Sequence, residues 1–230
     1  MKNDLPLQQC NFNAYPSCTL CSLHEGAKNP GVPTRLLKTS SPHTNTIPII
    51  VVGNQPTATE EEIFTGPSGS LLTNVYLKHE ELLKHTIYLT NATRCSSLGN
   101  NEQPKNKHFK ACFPYLLKDI KDIVSLHAKQ KAYVLCLGSH AYSVISQYFL
   151  GKRQSLRHGF NNQGQPSTSF LLPNQLNIYS TFHPAAVMRE KKYLYPVSDH
   201  IELLVNAVNG RAPTPSLPDR QEPSWPKEIS

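Results

Sequence analysis

Long apolar runs are missing from this 230-residue chain. No stretch approaches the roughly 20 residues that a membrane-spanning helix needs, so no membrane protein is expected. The polar opening "MKNDLPLQQC" has none of the apolar core of a secretory leader. Acidic residues are also scarce: 16 Asp and Glu face 23 Lys and Arg, a net charge of +7 with a pI near 9.1. That imbalance favours a polyanionic partner, nucleic acid above all, because each neutralised phosphate releases counterions. It fits a solvated basic surface equally well. A cytoplasmic protein is expected, in which thiols stay reduced or bind metal.

What the chain does have is an alternation of strand and helix patterns. "TIPIIVV" (46–52) reads as a buried strand ending at Gly53. "TIYLTN", "KAYVLCLG" and "NQLNIYSTFHP" supply three more strands. Between them, "GPSGSLLTNVYLKHEELLK" places Leu71, Leu72, Val75 and Tyr76 at helical spacing. "NKHFKACFPYLLKDIKDIVSLH" aligns Phe109, Phe113, Leu116, Leu117, Ile120 and Val124 on one helical face, with Pro114 expected near a helix start or at a kink. "SHAYSVISQYFLG" is a helix opened by Ser139 as N-cap and closed by Gly151, and a last helical region is interrupted at Pro196. The pattern predicts an α/β fold over 1–210, a three-layer α/β/α sandwich with a central four-stranded parallel sheet. The proline-rich stretch 211–230 lacks periodicity and reads as a disordered tail.

In such a sheet, ligands bind beyond the carboxyl ends of the strands. Three polar loops fall there: 53–69, 91–95 and 183–189. One alone would simply turn the chain; three, each with a side chain able to hydrogen-bond a planar ligand, point to a site. Of the six cysteines, Cys18 and Cys21 form a CxxC, and Cys95 and Cys112 flank a short segment further on. CxxC also fits a redox dithiol. By spacing alone a four-cysteine zinc site comes first and an iron–sulfur cluster second. Cys136 lies in an apolar strand and reads as a core thiol, and Cys10 has no evident partner.

Taken in order, "CTLC", "VVGNQP" with "FTGPSG", "IYLTNATRC", "CFPYL", "VLCLGSHA" and "TFHPAAVMR" resemble the motifs of the family 4, iron–sulfur, uracil-DNA glycosylases. The resemblance runs from about Cys18 to the final helix. It implies a monofunctional glycosylase that flips a pyrimidine, uracil by default, out of DNA and hydrolyses its N-glycosidic bond. It also implies a [4Fe-4S] cluster on Cys18, Cys21, Cys95 and Cys112, in place of zinc. DNA is the partner implied, and a monomer is expected. His183 stands where the family's histidine donates to the pyrimidine O2 as charge develops. Asn91 stands where an asparagine pairs with the base edge, and Phe64 where an aromatic ring stacks on it. Gly53, Gln55 and Thr57 belong to the base-binding loop. Ser68 and Gly69 fall where backbone amides hold phosphate, Val187 and Met188 where leucines wedge into the base stack, and Arg189 near a phosphate.

The departures are informative. The family's Gly-Glu-Ala-Pro-Gly reads Gly53-Asn54-Gln55-Pro56-Thr57 here, so Asn54 replaces the glutamate expected to orient water. An amide holds water but cannot take its proton. The segment before Phe64 is shorter than usual, and Glu60 in "TEEE" is another source of a carboxylate. The insertion that marks covalent-trapping relatives is missing, so ordinary hydrolysis is expected. Thr57 replaces the tyrosine that walls off pyrimidine C5 in strict uracil enzymes of the superfamily. A glycosylase for 5-modified pyrimidines, such as the modified cytosines of phage DNA, is therefore a rival reading with a defence role. A DNA-binding iron–sulfur protein without catalysis is a second rival.

Overall fold

The structure is a computed structural model describing residues 12–37, 46–57, 60–96, 103–127, 130–168, 171–172 and 176–211. Cys10, Thr59, the polar opening and the proline-rich tail from residue 212 lie outside them.

Four parallel strands form the centre, where the sequence places them: β2 (Pro48–Gly53), β3 (Thr86–Asn91), β4 (Ala132–Leu137) and β6 (Leu176–Thr181). Ile49 and Val51 join one core cluster and Ile50 and Val52 the other, so β2 is buried on both faces. That is why it reads as a continuous β-branched run and not as an alternating one. The sheet has six strands, not four, and is mixed, not parallel: its order is β1-β3-β2-β4-β6-β5. β1 (Arg35–Leu37) and β5 (Gln165–Pro166) pair antiparallel at the edges. Three and two residues are too few to carry a period, so pairing alone defines them.

Helix α3 (Asn106–Leu126) and α4 (Gly138–Phe149) cover one face. Helix α1 (Pro67–Leu71), running into a π-helical turn at Leu72–Tyr76, and the late helix α7 (Leu194–Val208) cover the other, near α2 (Glu80–Leu83). The two remaining helices are α5 (Leu156–Asn161) and α6 (Pro184–Arg189). Three local expectations are corrected. Pro114 sits at an exposed position inside α3, away from the helix start and without ending it, and removes the amide that would bond the Lys110 carbonyl. Ser139 lies in the first turn of α4, whose N-cap is Leu137 with no side-chain bond. Pro196 lies in the first turn of α7, where no amide donor is needed, and the chain breaks earlier, at Glu190.

Strand order fixes where a ligand can sit. From β2 the chain turns outward to β3, whereas β4 leads the opposite way to β6. The loops leaving β2 and β4 therefore part and open a crevice at the strands' carboxyl ends.

Candidate active site

Gly53 ends β2 directly beside Asn91, its register partner at the end of β3. A Cβ on Gly53 would lie 2.3 Å from Asn91 Oδ1 and 2.5 Å from Phe64 Cζ. The amide and the ring thus converge over a position that only glycine leaves open. Asn91 is 3% exposed, and its Oδ1 is buried and accepts no hydrogen bond from the protein. An unpaired buried acceptor costs stability unless a ligand supplies the donor.

Phe64 is the one non-glycine with positive φ among the described residues, at 58°. That strain is held by its surroundings. The Glu60 carboxylate accepts from the N–H groups of Thr57 (2.8 Å), Thr65 (3.1 Å) and Gly66 (3.3 Å), clasping the loop around the ring. Gly69 presses in from α1, where a Cβ would stand 1.8 Å from the Phe64 carbonyl oxygen. Gly69 thus serves close packing, with Ser68 beside it in the first turn of α1, and the Glu60 carboxylate is occupied as a loop clasp that takes the Gly66 N–H.

His183 enters from β6. It caps α6, its Nδ1 accepting from the Ala185 N–H at 3.1 Å. The neutral ring therefore carries its proton on Nε2. Burial, and then the charge of Arg189, pull the His183 pKa from 6.5 down to about 4. Its ring lies 6.4 Å from that of Phe64, centroid to centroid. Behind it, Gly138 at the start of α4 is close enough that a Cβ would stand 3.2 Å from His183 Cβ. Tyr76 Oη donates to the Phe182 carbonyl at 3.1 Å, fixing the backbone that presents the imidazole.

Asn54 follows Gly53, its carbonyl held by the Thr93 N–H at 3.0 Å and Thr93 Oγ1 at 3.3 Å. Gln55 is half-buried and Thr57 exposed beside it. Across the crevice, Ser68 Oγ meets Met188 Sδ at 3.8 Å, joining the GPSG turn to α6. Met188 is 50% exposed, but Val187 is 4% exposed and packs into the core. Of the two expected wedge positions only Met188 thus faces solvent, with Arg189 exposed next to it.

The cysteines gather on the far side of β3. Cys95 and Cys112 are buried, and Cys18 and Cys21 half-buried. Burial raises the pKa of Cys112 to about 12, and the charges of Cys21, Cys95 and Cys18 add to it. Cys95 is raised the same way, by burial first and then by Cys18 and Cys21. The four thiols thus lie near enough for their charges to act on one another, with Cys95 and Cys112 the buried pair. Gly31 N–H donates to Cys95 Sγ at 3.4 Å and Tyr115 Oη to Cys18 Sγ at 3.6 Å, the kind of bonds that stabilise thiolates. No group of three or more His, Cys, Asp or Glu side chains among the described residues is arranged to hold a metal ion. A cubane differs from zinc here, since each thiolate binds its own iron rather than one shared centre. Cys136 is fully buried in β4, as a core thiol should be.

Sequence reasoning missed two further parts. Arg94 and Asp119 form a buried ion pair; Thr34 Oγ1 also donates to Asp119, and Arg94 Nη1 to the Val32 carbonyl at 3.2 Å. The signal was an arginine directly before Cys95 in "TNATRC". Gln103 reaches Asn54 from far along the chain, with no signal in the sequence.

An aromatic face, a buried amide oxygen and a neutral histidine thus lie on the loops at the carboxyl ends of the strands, on an α/β fold. The chain belongs to the uracil DNA glycosylase superfamily, whose family model matches residues 42–207. It is similar to a type-4 uracil-DNA glycosylase of Pyrobaculum aerophilum, 26% identical over 179 residues covering 76% of this chain and 81% of that protein. The type-4 uracil-DNA glycosylase of Saccharolobus solfataricus is 26% identical over 143 residues, 61% of this chain and 62% of its own. That of Sulfurisphaera tokodaii is 26% identical over the same number of residues, covering 60% of its length. For the last two, the match spans less than two thirds of the relative. Among the described residues no helix is long and apolar enough to cross a membrane.

Proposed function

We propose that the chain is a monofunctional DNA glycosylase that takes a pyrimidine, uracil by default, flipped out of DNA and leaves an abasic site. The observation that carries this reading is His183, neutral at working pH with its N–H on Nε2, facing the Phe64 ring, which meets the unpaired Asn91 Oδ1 over Gly53. As the C1′–N1 bond breaks, its electron pair leaves with the base and negative charge grows on O2. A donor fixed in a dry pocket stabilises that charge most when it is largest, in the transition state. Phe64 stacks on the base and Asn91 pairs with its edge. Water then adds to C1′ and loses a proton to solvent or to the departing anion. Because bond breaking leads, Asn54 need only hold that water. Met188 fills the gap left in the stack, with Arg189 and Ser68 at the backbone.

The donor chemistry of Cys18, Cys21, Cys95 and Cys112 suits a [4Fe-4S] cluster, whose positive charge would offset the burial that raises the pKa of Cys95 and Cys112. Held by these four thiolates, it would supply structure, with Cys18 and Cys21, Cys95 in the loop after β3 and Cys112 in α3 tied together.

Incubation with uracil-containing DNA, followed by alkali to cut abasic sites, tests the activity. Strand breaks are expected, and intact DNA overturns the reading. A second reading, excision of 5-modified pyrimidines in defence against phage, is favoured by one observation: the exposed, small Thr57 at the loop position that would face C5. Parallel assays on 5-substituted DNA separate the two, and Thr57→Tyr should spare uracil and lose the modified base.

A further inference from the structure

The two ends of the Asn54 amide meet opposite surroundings. At the exposed end, Nδ2 donates to Gln103 Oε1 at 2.6 Å. At the other, Oδ1 is buried and accepts no hydrogen bond from the protein. The main chain cannot swing to exchange them, since Thr93 holds the Asn54 carbonyl with both its N–H and its hydroxyl. Only rotation of the amide itself would swap the ends, and Gln103 lies where that rotation is decided.

We propose that Gln103 is a positioning residue for hydrolysis: by accepting from Nδ2, it turns the carbonyl oxygen of Asn54 into the pocket to hold the attacking water. The inference rests on the glycosylase reading. A carbonyl oxygen accepts one O–H of the water and leaves the water's lone pairs free for C1′. The reversed amide would point N–H groups at the water, engage a lone pair and turn it away from the sugar. No proton passes to Asn54 at any step. The glutamate of related sequences holds acceptors in both directions and needs no such partner. An amide has a wrong way round, and Gln103 opposes it by presenting Oε1 to Nδ2.

Substitutions at 103 separate this role from surface electrostatics. Gln103→Glu offers only an acceptor and enforces the inward carbonyl. Gln103→Lys offers only a donor and enforces the reverse. Single-turnover rates and DNA affinities on uracil-DNA should therefore split. Gln103→Ala slows the chemical step by about five- to tenfold, as for one lost hydrogen bond. Gln103→Glu recovers most of that rate while binding DNA more weakly. Gln103→Lys binds more tightly and yet stays slow. A residue acting only through its field on DNA would rank the lysine above the glutamate. The double variant Asn54→Ala with Gln103→Ala should be no slower than Asn54→Ala alone, because Gln103 acts through Asn54. A fast lysine variant, a slow glutamate variant or additive losses would overturn the proposal. The Asn54 side-chain amide resonances, followed by 15N NMR, should move in Gln103→Ala, and unmoved resonances also defeat it. A wild type that releases no base from any DNA fails the glycosylase reading instead. The resonances then still decide whether Gln103 holds the amide.

Discussion

Asn91 and Cys95 belong to one short loop after β3, but their surroundings are built to opposite rules. Around Arg94 and the cysteines, polar groups are spent on one another: the ion pair to Asp119, the Thr34 hydroxyl, the Val32 carbonyl and the N–H donors on sulfur. Arg94 Nε is the exception in that group. Around Asn91, buried acceptors stay open on Asn91 and Asn54, and Phe64 keeps a strained backbone. Buried polar groups are normally paired, so the difference is a division of labour. The saturated side holds the chain together, and the open side waits for a substrate.

The sharpest way to break that comparison is through the cysteines. Protein purified without oxygen should be brown, with about four irons per chain. Cys112→Ser should bleach it and unfold the lobe, whereas Cys136→Ser keeps the colour. A colourless protein holding one zinc would return the site to a single-ion centre.

The ion pair comes next. Asp119→Ala leaves the Arg94 charge buried and alone, which should cost about 3–5 kcal/mol in denaturant unfolding. Asn91→Ala, which removes an unpaired group, should leave stability within about 1 kcal/mol and abolish base release. Equal losses of stability in the two variants would erase the contrast between the regions.

His183→Ala should slow single-turnover cleavage by roughly a hundredfold or more, the usual loss for one transition-state donor. Binding to undamaged DNA should largely survive. A variant that fails mainly in binding would make His183 a contact and not a catalyst.

The last effect is on pH. His183 and His200 both have pKa values lowered to about 4, by burial first in each case. Between pH 6.5 and 4 the unfolded chain takes up protons that the native chain refuses, so stability should fall as pH drops through that window. Above pH 6.5 the contribution is complete and the curve should be flat in these groups. Cleavage should keep its His183-dependent rate down to about pH 4. A rate that collapses near pH 6 would mean that the imidazole is not held neutral.

Much of this was legible in the chain itself. The four central strands, the long helix with its apolar face and the order of the short motifs are local patterns, and local patterns are what a sequence displays. Phe64, Asn91 and His183 could be named because each lies at the end of a patterned strand or in a short motif. Only the tertiary structure decided where the named residues sit. Val187 and Met188 are neighbours in sequence, yet α6 turns one into the core and the other to solvent. Glu60 stood out as a spare carboxylate, and the fold surrounds it with three N–H donors. The orientation of Asn54 depends on Gln103, a contact across 49 positions that no period or motif encodes. Spacing along a chain fixes which face a residue shares with its near neighbours. It does not fix which distant atom closes on it, because that depends on how the crossovers pack, and the chemistry of this pocket is set by such contacts.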